Sequence, residues 1–215
     1  MLGEMGMGFI KTYLAGQSRR PKGVIGKLMG KLMNKVNAQM NETTIQLLGI
    51  DDDDYVLEIG FGNGKYIAEI IERVKGTHVL GLDFSDEMVK TATKINKNSI
   101  KEGRVQIEQG EVEKIPFSNG MFDKIFTVNT IYFWSDPILG LQEIKRVLKP
   151  GGRLAITFRS KDIMSQRTSD EYDFSLFTPE AEEVQTLLKD TGFTNISNQH
   201  FSDKSIGYYC VVAEN

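Results

Sequence analysis

The sequence predicts an α/β fold: a seven-stranded, mostly parallel sheet with helices on both faces, an antiparallel last strand and a helical segment ahead of it. Three observations lead there. From Tyr55 onward, short apolar runs alternate with helical patterns, the signature of strands joined by crossover helices. A glycine-rich turn, EIGFGNGKY at 58–66, joins the first strand to the helix after it. The last two apolar runs follow each other with no helix between them. A connection that short cannot make a parallel crossover, so the final strand must run antiparallel.

The elements can be read in order. After Pro21, Val24, Ile25, Leu28, Met29, Leu32, Met33 and Val36 recur at three- and four-residue steps, which is helical spacing. A second helix runs from about Asn37 to Leu48, and the acidic run Asp51 to Asp54 turns the chain. Strands are expected at Tyr55–Ile59, His78–Leu82, Val105–Glu108, Lys124–Asn129, Arg153–Phe158, Thr194–Gln199 and Ile206–Val212. The helices between them are Tyr66–Val74, Asp86–Asn98 and Ile138–Leu148, the last stopped by Pro150-Gly151-Gly152. Thr178-Pro179-Glu180 opens one more helix, with Thr178 as N-cap and Pro179 at the first helical position. Residues 1–45 form an N-terminal arm, and residues 46–215 form the domain.

Composition narrows the function classes. The chain has 215 residues, 40% of them hydrophobic and 26% charged, as in a globular protein with one ordinary core. No apolar run approaches the roughly 18 residues of a membrane span. The first 16 residues lack the pattern of a secretory signal. A lone cysteine, Cys210, excludes an internal disulfide and a cysteine-rich metal site. A cytoplasmic location without metal is expected. Residues 1–40 carry seven basic side chains and one acid, a net +6 against −3 for the whole chain, which leaves −9 elsewhere. That arm also holds six of the nine methionines. Its charge points to an anionic partner and its methionines to an apolar one; both traits also suit a solvated helix face with an ordinary packing side.

The glycine turn is where the chemistry concentrates. A strand turning sharply into a helix aims backbone N–H groups at one place, and glycine lets a ligand approach the backbone. The phosphate-binding pattern G-x-x-x-x-G-K-[ST] fails, because Ile59 stands where its first glycine belongs and Tyr66 where its hydroxyl belongs. A dinucleotide site needs G-x-G-x-x-G, and here Gly60, Gly62 and Gly64 bring the third glycine one residue early. Asp83 would still serve that fold as its ribose acid. A third ligand class is a nucleoside with an amino-acid tail. Glu58 favours it, since a carboxylate repels a pyrophosphate and attracts an ammonium. Asp83 can accept from ribose hydroxyls, Phe84 can lie against the adenine ring, and Glu111, in Gly110-Glu111-Val112, can accept from the adenine amino group. Singly, these are a turn, a core phenylalanine and a solvated acid. On three successive strand ends they form one site.

These residues resemble the class I S-adenosylmethionine-dependent methyltransferases. The resemblance covers about residues 40–213 and rests on VLEIGFGNG, GLDFS, QGEVEKIPF, FDKIFTVNTIYFW and EIKRVLKPGGRLAI. It is closest in flavour to the ubiquinone and menaquinone C-methyltransferases. It implies a Rossmann-like, doubly wound sheet and S-adenosylmethionine as methyl donor, with S-adenosylhomocysteine as product. Glu58, Gly60, Gly62, Asn63 and Gly64 would hold the methionine part, and Asp83 the ribose. Phe84, Gly110, Glu111 and Val112 would frame the adenine, while Asn129 and Thr130 would lie beside the sulfonium. Many members carry aspartate where Glu111 stands, so the adenine contact shifts here. Asn129, Tyr132 and Trp134 are the candidates for the acceptor pocket, although Phe133 and Trp134 would serve equally as packing under the next helix. In-line transfer to a small molecule needs positioning more than acid–base groups. His78, at the start of its strand, and His200, late in the chain, are structural or surface residues. The arm would be a lid over the acceptor.

Two other functions compete. A nicotinamide-dependent oxidoreductase would use the same sheet, against the glycine spacing. A nucleic-acid or protein methyltransferase would grip a polyanion with the basic arm. The acidic body opposes that, as does Asn129-Thr130-Ile131-Tyr132 where an N-P-P-Y-like tetrad would stand. Nucleic acid is therefore not the expected partner.

Overall fold

A computed structural model describes residues 37–165, 178–203 and 206–215. The helix expected after Pro21 and most of the N-terminal arm lie outside them. The described chain runs α1 (Ala38–Leu48), β1 (Tyr55–Ile59), α2 (Lys65–Arg73), β2 (His78–Asp83), α3 (Asp86–Ile95), α4 (Lys97–Lys101) and β3 (Val105–Gln109). It continues through β4 (Phe122–Val128), α5 (Pro137–Val147), β5 (Leu148–Phe158), α6 (Lys161–Ser165), α7 (Ala181–Asp190), β6 (Thr194–Asp203) and β7 (Ile206–Glu214). Short 3₁₀ turns at Val112–Lys114 and Ile131–Phe133 follow β3 and β4.

The strands form one seven-stranded sheet in the order β3-β2-β1-β4-β5-β7-β6. β1 pairs in parallel with both β2 and β4, so Leu57 lies level with Leu80 and Ile125. β7 enters between β5 and β6 and is antiparallel to both. Strand order reverses at β1, and the loops after β1 and β4 therefore diverge to opposite sides and open a crevice between them.

Alternation along the strands builds a core on each face. Leu57, Ile125, Leu154 and Ile156 meet Leu141, Ile144 and Val147 of α5 and Val184 and Leu188 of α7. Val56, Val79, Phe126 and Ala155 meet Leu48 of α1, Ile67, Ile70 and Ile71 of α2, and Met88 and Ala92 of α3. Glu58 shares the face of Val56, under the helices. α1 belongs to this packing: Met40 and Leu48 are fully buried, and the expected boundary between residues 45 and 46 falls inside this helix.

Several boundaries differ from those expected, each for a tertiary reason. The single helix over Asp86–Asn98 breaks at Asn96, whose buried side chain donates to the carbonyls of Ala92 and, in the glycine turn, Gly64, both at 3.0 Å. α5 stops at Val147, before Pro150-Gly151-Gly152. Leu148 already pairs with Phe122, and Asn215 Nδ2 collects the carbonyls of Lys145, Leu148 and Lys149. α7 begins two residues later than Thr178-Pro179 implies, because Glu180 is the N-cap and forms a capping box with Glu183. β4 spans Phe122–Val128 instead of Lys124–Asn129, since Asn129 leaves the strand at φ +56°. α6 has no periodic signal in the sequence and was not expected.

The C-terminus of α1 is closed from a distance. Arg153 on β5 donates from Nη1 to Leu48 O at 2.9 Å and from Nη2 to Leu47 O at 3.0 Å. These carbonyls have no partner within the helix, and a cation at a helix C-terminus is also favoured by the peptide dipoles. Arg153→Ala is expected to lower stability by about 1–3 kcal/mol in urea unfolding. Arg153→Lys should recover part of it, because an ammonium cannot fork across two carbonyls.

Candidate functional site

The site forms where β1, β2, β3 and β4 end. The turn after β1 holds three glycines in left-handed conformations, Gly60 at φ +72°, Gly62 at +58° and Gly64 at +76°, but for different reasons. A Cβ on Gly60 would lie 2.3 Å from Thr130 Cγ2, and one on Gly64 would lie 2.6 Å from Ala92 Cβ. Those two let the turn press against the β4 loop and α3. A Cβ on Gly62 would meet nothing within 4 Å, so the backbone there faces open space.

Four N–H groups of the turn are spent on the protein itself. Gly60 N donates to Leu82 O at 2.7 Å and Gly64 N to Phe61 O at 3.1 Å. Gly62 N donates to Asp83 Oδ2 at 3.0 Å, and Lys65 N to Asn63 Oδ1 at 3.1 Å. A phosphate cradle needs such donors free; here they are taken, and one is covered by a carboxylate.

Asp83 ends β2 and is 6% exposed. Its other oxygen accepts from Ser85 N at 2.9 Å. Burial raises its pKa to about 6, although the Ser85 and Gly62 N–H groups work to lower it. Its own carbonyl accepts from Gly110 N at 3.1 Å, which ties the end of β3 to that of β2. A Cβ on Gly110 would lie 2.8 Å from Leu82 Cδ1. Phe84 is half-buried and its carbonyl accepts from Gln109 Nε2. Glu111 is exposed, and Val112 is buried against Gly140 of α5.

Glu58 is 4% exposed, and its Oε2 has no hydrogen-bond partner among the described residues. Burial first, then the charges of Asp83 and Glu69, push its pKa well above the usual carboxylate range. Glu69 is balanced by Lys65 and Arg73, and Arg73 also pairs with Glu42. No ion pair among the described residues involves Glu58 or Asp83.

The β4 side is a hydrogen-bonded network. Thr127 Oγ1 donates to Ile59 O at 2.9 Å and also bonds the Thr130 hydroxyl. Trp134 Nε1 donates to Thr130 Oγ1 at 3.2 Å, while its ring lies against Gly140. Trp134 therefore packs under α5, one of the two uses expected of it. The buried Tyr132 hydroxyl accepts from Arg159 N at 2.6 Å and shares its one proton between Asn129 Oδ1 at 3.0 Å and Arg159 O at 3.1 Å. Burial raises its pKa and keeps it neutral. This fixes the amide of Asn129, whose Nδ2 donates to Asn37 Oδ1 at 3.0 Å and to Met40 Sδ at 3.3 Å. Asn37, Met40 and Arg159 were not anticipated here, and no local pattern marks them. His78 stacks on Tyr55 at the opposite end of the sheet, with ring centroids 4.7 Å apart. His200 lies beside Tyr209 on the edge strand β6.

Two measurements test this geometry without any ligand. Gly60→Ala should destabilise the protein by about 2–4 kcal/mol, from a clash added to left-handed strain. Gly62→Ala should cost only the strain, about 1–2 kcal/mol. The second concerns pH. Asp83 titrates near 4 in the unfolded chain and at about 6 when folded, so the unfolded chain loses its proton first. Stability should therefore fall as pH rises through that window, by up to about 3 kcal/mol from Asp83 alone. Urea unfolding of Asp83→Asn should show that part of the slope removed.

Comparison with known proteins follows the same lines. Residues 57–156 match the family model described as a methyltransferase domain. The chain is 36% identical over 135 residues to the uncharacterized methyltransferase YdaC of Bacillus subtilis, covering 63% of this chain and 72% of that protein. It is 31% identical over 182 residues to the ubiquinone/menaquinone biosynthesis C-methyltransferase UbiE of Teredinibacter turnerae, covering 79% of this chain and 72% of that one. Among solved structures, an S-adenosylmethionine-dependent methyltransferase from Aquifex aeolicus superposes with a TM-score of 0.64 at 26% identity, over 80% of this chain and 88% of that one. No helix among the described residues is long and apolar enough to cross a membrane. With its strand order, its glycine turn and these relatives in agreement, the chain belongs to the class I S-adenosylmethionine-dependent methyltransferases.

Proposed function

We propose that the crevice beyond β1, β2, β3 and β4 holds S-adenosylmethionine and that the protein methylates a small molecule. One observation carries the assignment: four N–H groups of the turn are spent on the protein, and two buried carboxylates have no cationic partner among the described residues, which suits a cationic nucleoside and opposes a diphosphate. S-adenosylmethionine supplies, when bound, an electrophilic methyl group on a positively charged sulfur.

The residues present fit that ligand. The unpartnered oxygen of Glu58 is an acceptor for its ammonium group, and the open side of Gly62 lets its chain lie against the backbone. Asn63 and Gly64 complete that wall. Each Asp83 oxygen takes one backbone N–H and keeps a lone pair for a ribose hydroxyl. Phe84, Gly110 and Val112 frame the base, and the exposed carboxylate of Glu111 accepts from its amino group. Gly60 and Thr130, pressed together, form the floor between the β1 and β4 loops. Asn129, with its amide orientation set by Tyr132, borders the acceptor.

No histidine stands in this group, and Tyr132 is held neutral. The protein's contribution is orientation and exclusion of water, worth up to roughly 7–11 kcal/mol in aligned reactions. A small acceptor agrees with the similarity to a ubiquinone/menaquinone biosynthesis C-methyltransferase. The methionines and positive charge of residues 1–40 argue for an apolar or anionic one. We take residues 1–45 as the part that shapes acceptor access, and the cytoplasm as the place of action.

Calorimetry with S-adenosylhomocysteine tests the site. Micromolar binding is expected, and the absence of binding at hundreds of micromolar would overturn the proposal. Asp83→Ala should weaken it at least about tenfold through the lost ribose bonds. In the wild type, affinity should also decline as pH falls below about 6, where Asp83 takes up a proton.

A further inference from the structure

We propose that Tyr66 is a positioning residue for Glu58: its buried hydroxyl donates, through one water molecule, to the unpartnered Glu58 oxygen and so orients the carboxylate that receives the ammonium end of the methyl donor. The inference rests on the function proposed above and extends it by one residue.

Tyr66 is 3% exposed, and its hydroxyl, like Glu58 Oε2, has no hydrogen-bond partner among the described residues. Two such orphans demand an account, because buried polar groups are nearly always satisfied by protein or ordered water. The fold brings them to one face of the sheet. Tyr66 is the second residue of α2, directly after the glycine turn, and Glu58 is the penultimate residue of β1, on the face that α2 covers. The phenol lies within electrostatic reach of Glu69, Glu42 and Glu58. Glu69 and Glu42 already have Lys65 and Arg73 as partners. Glu58 alone of the three lacks one among the described residues.

The chemistry of the two groups is complementary. Tyr66 is pushed up to about 12 by burial and then by the neighbouring carboxylates, so it remains a donor. An ionised Glu58 can only accept. A water between them accepts from the phenol and donates to the carboxylate, which meets the need of a buried water for at least two polar partners. The charged groups acting on Glu58 are Asp83 from β2 and Glu69 from α2. Both disfavour its ionised form, and the Tyr66 donor opposes them. Phenylalanine would fill the same space without burying a hydroxyl, so packing alone does not call for tyrosine.

The test compares wild type, Tyr66→Phe and Glu58→Gln by calorimetry with S-adenosylhomocysteine across about pH 5–8, with thermal unfolding of each ligand-free protein. Tyr66→Phe should remain folded at the temperature of the titration, bind about fivefold more weakly at neutral pH, and begin to lose affinity at a higher pH. The sign follows from the lost donor: without it Glu58 holds its proton to higher pH, and the proton competes with the ligand. Wild-type affinity and an unmoved pH profile in Tyr66→Phe, beside weakened binding in Glu58→Gln, would overturn this inference alone. A lower melting temperature for Tyr66→Phe with wild-type affinity and an unmoved pH profile would also overturn it, by showing that the hydroxyl serves the fold alone. Unweakened binding in Glu58→Gln, or no binding by the wild type, would defeat the function on which it rests.

Discussion

One buried carboxylate organises the site. Asp83 accepts from Gly62 N with one oxygen and from Ser85 N with the other, and its carbonyl accepts from Gly110 N. The ends of β1, β2 and β3 are thereby fastened to a single residue. The bond to Gly62 N offsets part of the conformational freedom that the turn gives up on folding, which is largest for glycine. The same bonds only partly offset the cost of burying the charge, which is why Asp83 holds its proton to about pH 6.

That residual cost is informative. Glu58 and Asp83 share one crevice with no cation among the described residues to balance them, while the more exposed Glu42, Glu69 and Glu143 each have a basic partner. A fold selected for stability alone would pair or remove the buried acids. A cationic nucleoside bound as proposed would supply the missing interaction.

Around this centre, polar side chains fasten loops that carry no regular structure. Asn96 reaches from the end of α3 to the carbonyl of Gly64. Thr127 and Thr130 join the β1 and β4 ends. Tyr132 links Asn129 to Arg159, and Asn37 brings the start of α1 to the same point. Arg153 does the equivalent service for the other end of α1. Most of these bonds have a backbone group on one side, so they fix where the chain runs as well as what the side chains do. The crevice is held by hydrogen bonds over two apolar cores, and its shape does not depend on any one helix.

The sequence by itself determined the number and order along the chain of the strands and the place of the glycine turn and its neighbouring carboxylates at strand ends. Apolar runs of period two between turn residues place β1 and β2 to within a residue, and the glycines, Glu58, Asp83 and Gly110 lie at strand ends that such runs define. These signals are local: each spans fewer residues than one strand and the turn after it. Only the tertiary structure decided the insertion of β7 between β5 and β6, the stop of α5 by Asn215, the break at Asn96 and the meeting of Asn37, Asn129, Tyr132 and Arg159. Asn37 and Asn129 are 92 positions apart, and Asn37 and Arg159 are 122. A bond of that kind leaves no periodicity behind, because it depends on which chain ends the sheet order brings together, and that order is settled only when both cores pack.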